Sequence, residues 1–284
     1  MTVALGMIFR NEEPPLPRLV DSARDLVDEI VAVDTGSEDG TVALLEREGA
    51  HVTQVEWTDF SAARNRVMDE AADRCDWLLM VDADSTVEFH PGLKDWLGED
   101  TSPDTDAWMV ERVATNMTWR VPALTRASTP WRYTEPVHEY LVCPEEKRRP
   151  LLGLSLIHHG DDGREGKYLE YIDLLKPLAD QGDPRALYYL AQSYWCMGVN
   201  TEAARLFAKR AVMANTWEEE RWHAGYMAAR ISRDIEGLLA AYQERPWRPE
   251  PLEWAARLTR ELGPMDDVLF LETSAPSERM PSCR

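Results

Sequence analysis

Four short apolar runs, each separated from the next by a helical pattern, fill the first third of the chain and constrain its fold more than any other feature. Val3–Phe9 breaks at Arg10-Asn11, and Glu29–Val33 ends at Asp34-Thr35-Gly36-Ser37. Val52–Val55 is a shorter run, and Trp77–Val81 stops at Asp82. Helical spacing covers Leu16–Leu26, Thr41–Glu48 and Ser61–Arg74, the last with Ala62, Ala63, Val67 and Ala71 on one face. Strands alternating with helices predict a parallel, doubly wound sheet. Such sheets bind ligands beyond the carboxyl ends of their strands. That rule selects Arg10-Asn11, Asp34–Ser37 and Asp82–Asp84.

Composition sets outer bounds. Of 284 residues, 44% are hydrophobic and 29% charged, which excludes a wholly disordered chain. The net charge of −20 argues against general clamping of a nucleic-acid backbone, which needs a basic excess. No apolar run approaches the roughly 20 residues of a membrane span. The start, MTVALGMIFRNEE, lacks a basic leader region and reads as a buried strand. Cys75, Cys143, Cys196 and Cys283 are scattered without a CxxC, which points to a reducing cytoplasm rather than a disulfide or zinc framework.

After Arg164 the texture becomes helical. A repeat at an offset of 34 residues aligns Leu190, Met197, Ala203 and Phe207 with Ala224, Ile231, Gly237 and Ala241. That is the period of a tetratricopeptide unit. Pro251–Leu262 reads as the first helix of a truncated third unit, and Gly263–Arg284 as a docked strand or loose tail. The expected division is a catalytic domain over 1–163, a helical domain over 164–262 and a tail over 263–284.

Four segments carry chemistry. Asp82-Ala83-Asp84 follows an apolar strand directly, so its two carboxylates can share a hard cation such as Mg2+ or Mn2+. Asp104-Thr105-Asp106 has the same spacing but no preceding strand. In DTGSEDGT, Asp34 closes a strand and suits a base imide or ribose hydroxyl, while Ser37 or Asp39 can cap the next helix. FSAARN opens a helix, whose N-terminus favours an anion, and Arg64 adds a guanidinium suited to phosphate. Further on, PVHEYL and LIHHG bring His138, Glu139, His158 and His159. At most one of the adjacent His158 and His159 is expected to complete a carboxylate metal site. Glu139 or His138 is the candidate general base.

The order LGMIFRNEE, EIVAVDTGSEDGT, FSAARN, LLMVDAD resembles the family 2 glycosyltransferases of the GT-A fold. PVHEYL, LIHHG and YYLAQSYWCMGVNTEAARLFAKR resemble the branch with a tetratricopeptide-like tail, so the likeness runs over roughly residues 2–245. It implies a Rossmann-like, mostly parallel GT-A sheet with a second, all-α helical-repeat domain. It also implies inverting transfer from a nucleotide-sugar, usually a UDP-sugar, with Mn2+ or Mg2+. On this resemblance Asp34 contacts the nucleoside and Arg64 the diphosphate or base. Asp82 contacts ribose or metal, Asp84 is the principal metal ligand, and a histidine of LIHHG is the late ligand. Arg10, Asn11, Ser37 and Asp39 complete the donor-binding set. The family often places an acidic pair late in the domain as the base, and this chain has no clear one there, so Glu139 stands in for it.

The acceptor is open among a protein or peptide, a glycan, a metabolite, a lipid-linked intermediate and a modified nucleobase in DNA. The last needs a cationic track, for which Lys147-Arg148-Arg149 with Arg120, Arg126 and Arg132 is the candidate. Trp108, Trp119 and Trp131 either line a sugar cleft or pack the core. The helical region could dock an acceptor, brace the catalytic domain or form a homo-oligomer. A non-catalytic repeat protein with a degenerate transferase domain is the rival reading.

Overall fold

The computed structural model describes residues 1–99, 105–115, 117–144, 148–160, 166–214 and 216–262, with backbone alone for 148–152. Asp104, Lys147, Cys283 and the whole Gly263–Arg284 tail lie outside the described residues. The chain divides into two compact units, Met1–Gly163 and Arg164–Arg284.

The first unit runs β1 (Val3–Phe9), α1 (Leu16–Ala23), β2 (Glu29–Asp34), α2 (Thr41–Arg47), β3 (His51–Gln54), α3 (Phe60–Ala71) and β4 (Trp77–Met80). It continues with β5 (Ser85–Phe89), α4 (Leu93–Glu99), β6 (Ala107–Ala114), β7 (Met117–Arg126), β8 (Arg132–Thr134), β9 (Tyr140–Val142) and β10 (Arg148–His158). Eight strands form one sheet in the order β3-β2-β1-β4-β7-β6-β10-β5, and β8 and β9 form a separate hairpin. The β3-β2-β1-β4 half is parallel throughout. The other half is mixed, with β7 antiparallel to β4 and β6, β10 parallel to β6, and β5 antiparallel to β10.

Both faces of the parallel half are covered, which is why its strands read as continuous apolar runs. Val3, Leu5, Met7 and Phe9 of β1 pack on one side with Leu16, Leu19 and Ala23 of α1. Ala4 of β1 and Val31 and Val33 of β2 pack on the other with Val67, Met68 and Ala71 of α3. Gly6 is required there: a Cβ would lie 2.7 Å from Leu78 Cδ1 and 2.9 Å from Val67 Cγ1. Its absence lets α3 approach the sheet, and α3 carries Arg64.

Trp131 is fully buried, with its Nε1 donating to the Asp106 carbonyl, and Trp108 is buried against Trp96. Both belong to the core rather than to a cleft.

Among its described residues the second unit is helical, with α5 (Lys167–Asp180), α6 (Pro184–Cys196), α7 (Asn200–Ala211), α8 (Glu218–Ser232), α9 (Ile235–Glu244) and α10 (Glu250–Leu262). The repeat is visible in the starts of α6, α8 and α10 at 184, 218 and 250. Asp183 and Asp234 cap α6 and α9 by accepting from Ala186 N and Gly237 N. No helix among the described residues is long and apolar enough to cross a membrane.

Candidate functional site

Parallel strands end on the same side of the sheet, so Arg10, Asp34 and Asp82 leave β1, β2 and β4 along one rim. Asp84 and His158, far apart in sequence, meet through strand pairing. β5 starts just after Asp84, β10 ends at His158, and the antiparallel register sets His158 opposite Ser85. His158 Nδ1 lies 3.2 Å from Asp84 Oδ1. One ligand atom each from Asp82, Asp84 and His158 fall within 4.8 Å of one another. The hydrogen bond to Asp84 raises the His158 imidazole above its ordinary pKa.

His159, one residue past the end of β10, points elsewhere. Its Nε2 is 2.8 Å from Thr86 Oγ1, and it is not part of the cluster.

Arg64 is buried within α3 and turns inward rather than to solvent. Its Nη2 donates to Asp82 Oδ1 and its Nε to Glu139 Oε1, both at 2.6 Å. The guanidinium lies 5.5 Å from the centre of the Tyr133 ring. Asn65, next to it, grips the β8–β9 hairpin through both amide atoms. Nδ2 donates to the Tyr133 carbonyl at 2.9 Å, and Oδ1 accepts from Tyr133 N at 2.8 Å. Phe60 N donates to the Pro136 carbonyl. These bonds bring Glu139 onto Arg64. The loop carries two non-glycine residues in left-handed backbone, Glu135 at φ 73° and His138 at φ 54°. Such strain concentrates at functional sites. His138 itself is exposed.

The anion expected at the α3 N-terminus is supplied by the chain. Asp59 is the N-cap, and its Oδ1 accepts from Ala62 N at 2.8 Å.

Two residues that sequence reading passed over complete the charge balance. Arg112, on β6, donates from Nη2 to Asp82 Oδ2. Arg18, on α1, reaches the Asp84 carbonyl at 3.4 Å. Burial alone would raise the Asp82 carboxyl, but Arg64 and Arg112 outweigh it and hold the group well below the usual carboxylate range. Burial pushes the Tyr133 phenol up to about 12, so it stays a neutral donor. A cavity of about 110 Å³ opens here, lined by Arg64, Arg112, Tyr133, Glu139 and Tyr140 with an apolar wall that includes Leu156.

The remaining rim residues bind each other. Asp34 Oδ1 accepts from Gly36 N and Ser37 N, and Oδ2 from Gln54 Nε2. Ser37 Oγ accepts from Asn11 N, and Asn11 Oδ1 accepts from Glu38 N. Asp39 accepts from Thr41 N and Glu13 N. Ser37 therefore caps no helix: the α2 N-cap is Gly40, and it has no side-chain cap. Asn11, Ser37 and Asp39 clasp the β1–α1 and β2–α2 loops together, while Arg10 is exposed at the rim.

The donor set suits a hard divalent cation: two carboxylates and one imidazole. Gly160 supplies a second, independent sign of fit. A Cβ there would collide with Asp84 Oδ2 and lie 2.5 Å from His158 Cε1. The chain leaves that space to the cluster. Gly160→Val is accordingly expected to cut Mn2+ affinity at least ~10-fold by displacing both ligands, while the melting temperature of the metal-free protein moves little. Calorimetric Mn2+ titration checks it, and unchanged affinity would remove Gly160 from the site.

A family model described as "Glycosyl transferase family 2" matches residues 5–155, more than half of the chain. The chain belongs to that family. Over 144 residues it is 38% identical to a TPR repeat-containing protein of Synechococcus elongatus, covering 48% of this chain and 34% of that one. Over 82 residues it is 35% identical to an uncharacterized glycosyltransferase of Rickettsia felis, covering 29% and 28%. The matches thus span about a third or less of these curated relatives. The crystal structure of S. aureus TarS shares the fold, with a TM-score of 0.50 at 12% identity, over 84% of this chain and 54% of that one. The GT-A α/β fold and the family 2 membership therefore stand together, on a sheet whose rim carries the cluster.

Proposed function

We propose that the chain is an inverting glycosyltransferase that moves a sugar from a nucleotide-sugar, a UDP-sugar by preference, to an acceptor hydroxyl or thiol, with the nucleoside diphosphate as leaving group. The observation that carries this is the meeting of Asp82, Asp84 and His158 at one strand edge with Arg64 bonded to Asp82. Asp84 and His158, with Asp82, would hold Mn2+ or Mg2+, which when bound supplies positive charge for the departing diphosphate. Arg64 contributes fixed positive charge on the same side. Its two carboxylate partners lock its orientation, so little reorganisation is needed as charge develops. Asp34 shapes the Thr35–Ser37 turn and places it against the donor nucleoside. The clasp of Asn11, Ser37 and Asp39 keeps that rim rigid, and exposed Arg10 is placed to meet the donor.

Glu139 is the base in this scheme. One of its oxygens accepts from Arg64, and the residue also lines the cavity, where an acceptor would be deprotonated for in-line attack. His138 shapes the same loop through its left-handed backbone. Glu139→Gln is expected to lower kcat by about 10²- to 10⁴-fold while UDP affinity stays near wild type. Donor hydrolysis and UDP calorimetry separate the two, and a parallel loss of both would assign Glu139 to donor binding instead.

A modified nucleobase in DNA is disfavoured as acceptor. Among the described arginines of the candidate track, Arg120 pairs with Glu111, Arg132 with Asp69, and Arg126 bonds the Thr105 carbonyl, so each already has a partner within the chain. Residues 1–163 also carry 32 acidic against 15 basic side chains. A spent transferase domain would have no use for a cluster packed around an open glycine. Cys75 and Cys143 form no disulfide among the described residues, which fits the cytoplasmic setting we favour. A thermal-shift screen of UDP, GDP and dTDP species with Mn2+ tests the donor class. Stabilisation by UDP species above the others is the expected result, and no shift with any of them would sink the proposal.

A further inference from the structure

We propose that Arg112 is a counter-ion that a divalent cation displaces from Asp82, and that the freed guanidinium then serves the donor diphosphate. The inference rests on the metal-dependent reading above and adds a residue to it.

Asp82 has two oxygens and both are taken, Oδ1 by Arg64 and Oδ2 by Arg112. Yet an Asp82 oxygen also lies within 4.8 Å of ligand atoms of Asp84 and His158. A divalent cation entering that cluster meets a guanidinium already on its ligand, and like charges at such separation repel strongly. One partner has to yield. The two arginines are not equally held. Arg64 sits on α3 with its side chain 10% exposed, bonded to both Asp82 and Glu139 and set against the Tyr133 ring. Arg112 has its side chain 24% exposed, and among the described residues its ion pair is with Asp82. Its backbone is fixed by cross-strand pairing with Trp119 and Leu156. Only the side chain can move. The 110 Å³ cavity lined by Arg112, Arg64 and Glu139 gives it room beside the site.

The arrangement predicts opposite effects on two ligands, which loss of a merely structural contact would not produce. In the metal-free, nucleotide-free protein Arg112 neutralises Asp82 and weakens cation entry. With the cation and nucleotide present, the same guanidinium adds to the positive charge facing the diphosphate.

The test is titration of free Mn2+, followed by electron paramagnetic resonance, on the full chain with and without UDP. Without UDP, Arg112→Gln is expected to bind Mn2+ about 10-fold tighter than wild type. With saturating Mn2+, the same variant is expected to bind UDP about 10-fold more weakly. Arg112→Met, which keeps the apolar stem, is measured alongside in case the glutamine variant folds poorly, and Arg112→Lys should stay close to wild type for Mn2+. Equal or weaker Mn2+ binding by both neutral variants, with wild type binding Mn2+ and UDP together, overturns the counter-ion role and leaves the site reading standing. No Mn2+ binding by wild type even with UDP overturns the site reading, and this inference with it.

Discussion

Asp84→Asn is expected to abolish Mn2+-dependent nucleotide binding and to lower donor hydrolysis by about 10³-fold. The asparagine side chain matches aspartate in size and can still hydrogen-bond His158, so the β5–β10 register should persist. What disappears is the negative charge that a hard cation requires. Asp84 is half-buried and its Oδ1 faces His158 at 3.2 Å, and without it Asp82 is the one carboxylate left in the cluster among the described residues. Because the acceptor is open, the assay reads release of UDP from a UDP-sugar in water, together with melting curves in Mn2+ and UDP. The metal-free melting temperature should stay close to wild type while the ligand-induced shift vanishes. A variant that keeps more than a small fraction of the hydrolysis would place the reacting charge elsewhere.

Arg64→Met is expected to destabilise the first unit by about 3 kcal/mol, at the lower end of the range for breaking a buried ion pair. The size follows from what remains. Asp82 and Glu139 have side chains only 26% and 13% exposed, and each loses a 2.6 Å charge-assisted bond. Asp82 keeps Arg112, which moderates the loss. Among the described residues Glu139 has no second ion pair, so adding Glu139→Gln to Arg64→Met should recover part of the stability. Arg64→Lys should recover less than full activity, because an ammonium cannot present a fork to two carboxylates at once. Urea unfolding midpoints for the three variants and the double variant measure this coupling. A single Arg64→Met variant within about 0.5 kcal/mol of wild type, the range of an ordinary surface substitution, would show that the triad carries no structural weight.

The parallel half of the sheet was legible because burial on both faces writes itself as apolar runs. Val3–Phe9 is β1 to the residue, and Trp77–Val81 overshoots β4 by one. The helix expected to reach Leu26 ends at Ala23. Leu26 is still buried, through a turn in which its N–H meets the Ala23 carbonyl, so its apolar character was a packing signal and not a helical one. The carboxylate rim was legible too, since strand ends can be read locally.

Long-range pairing could not be read. Arg112 reaches Asp82 only because β6 lies between β7 and β10, and nothing near Arg112 in sequence announces that order. The strand β6, Ala107–Ala114, was not read from the sequence at all. His158 and His159 were indistinguishable in sequence; the register sets His158 opposite Ser85, and His159 meets Thr86 instead. Ser37 carried a helix-cap pattern and instead joins two loops through Asn11, while Asp39 both accepts from Thr41 N at the start of α2 and ties in Glu13 N.

Anomalous diffraction from crystals soaked in Mn2+ and UDP tests the central claim most directly. A manganese peak bounded by Asp84 and His158, with the UDP pyrophosphate on the same side as Arg64, is the predicted result. A well-occupied peak on other residues, or UDP bound away from that rim, would contradict it.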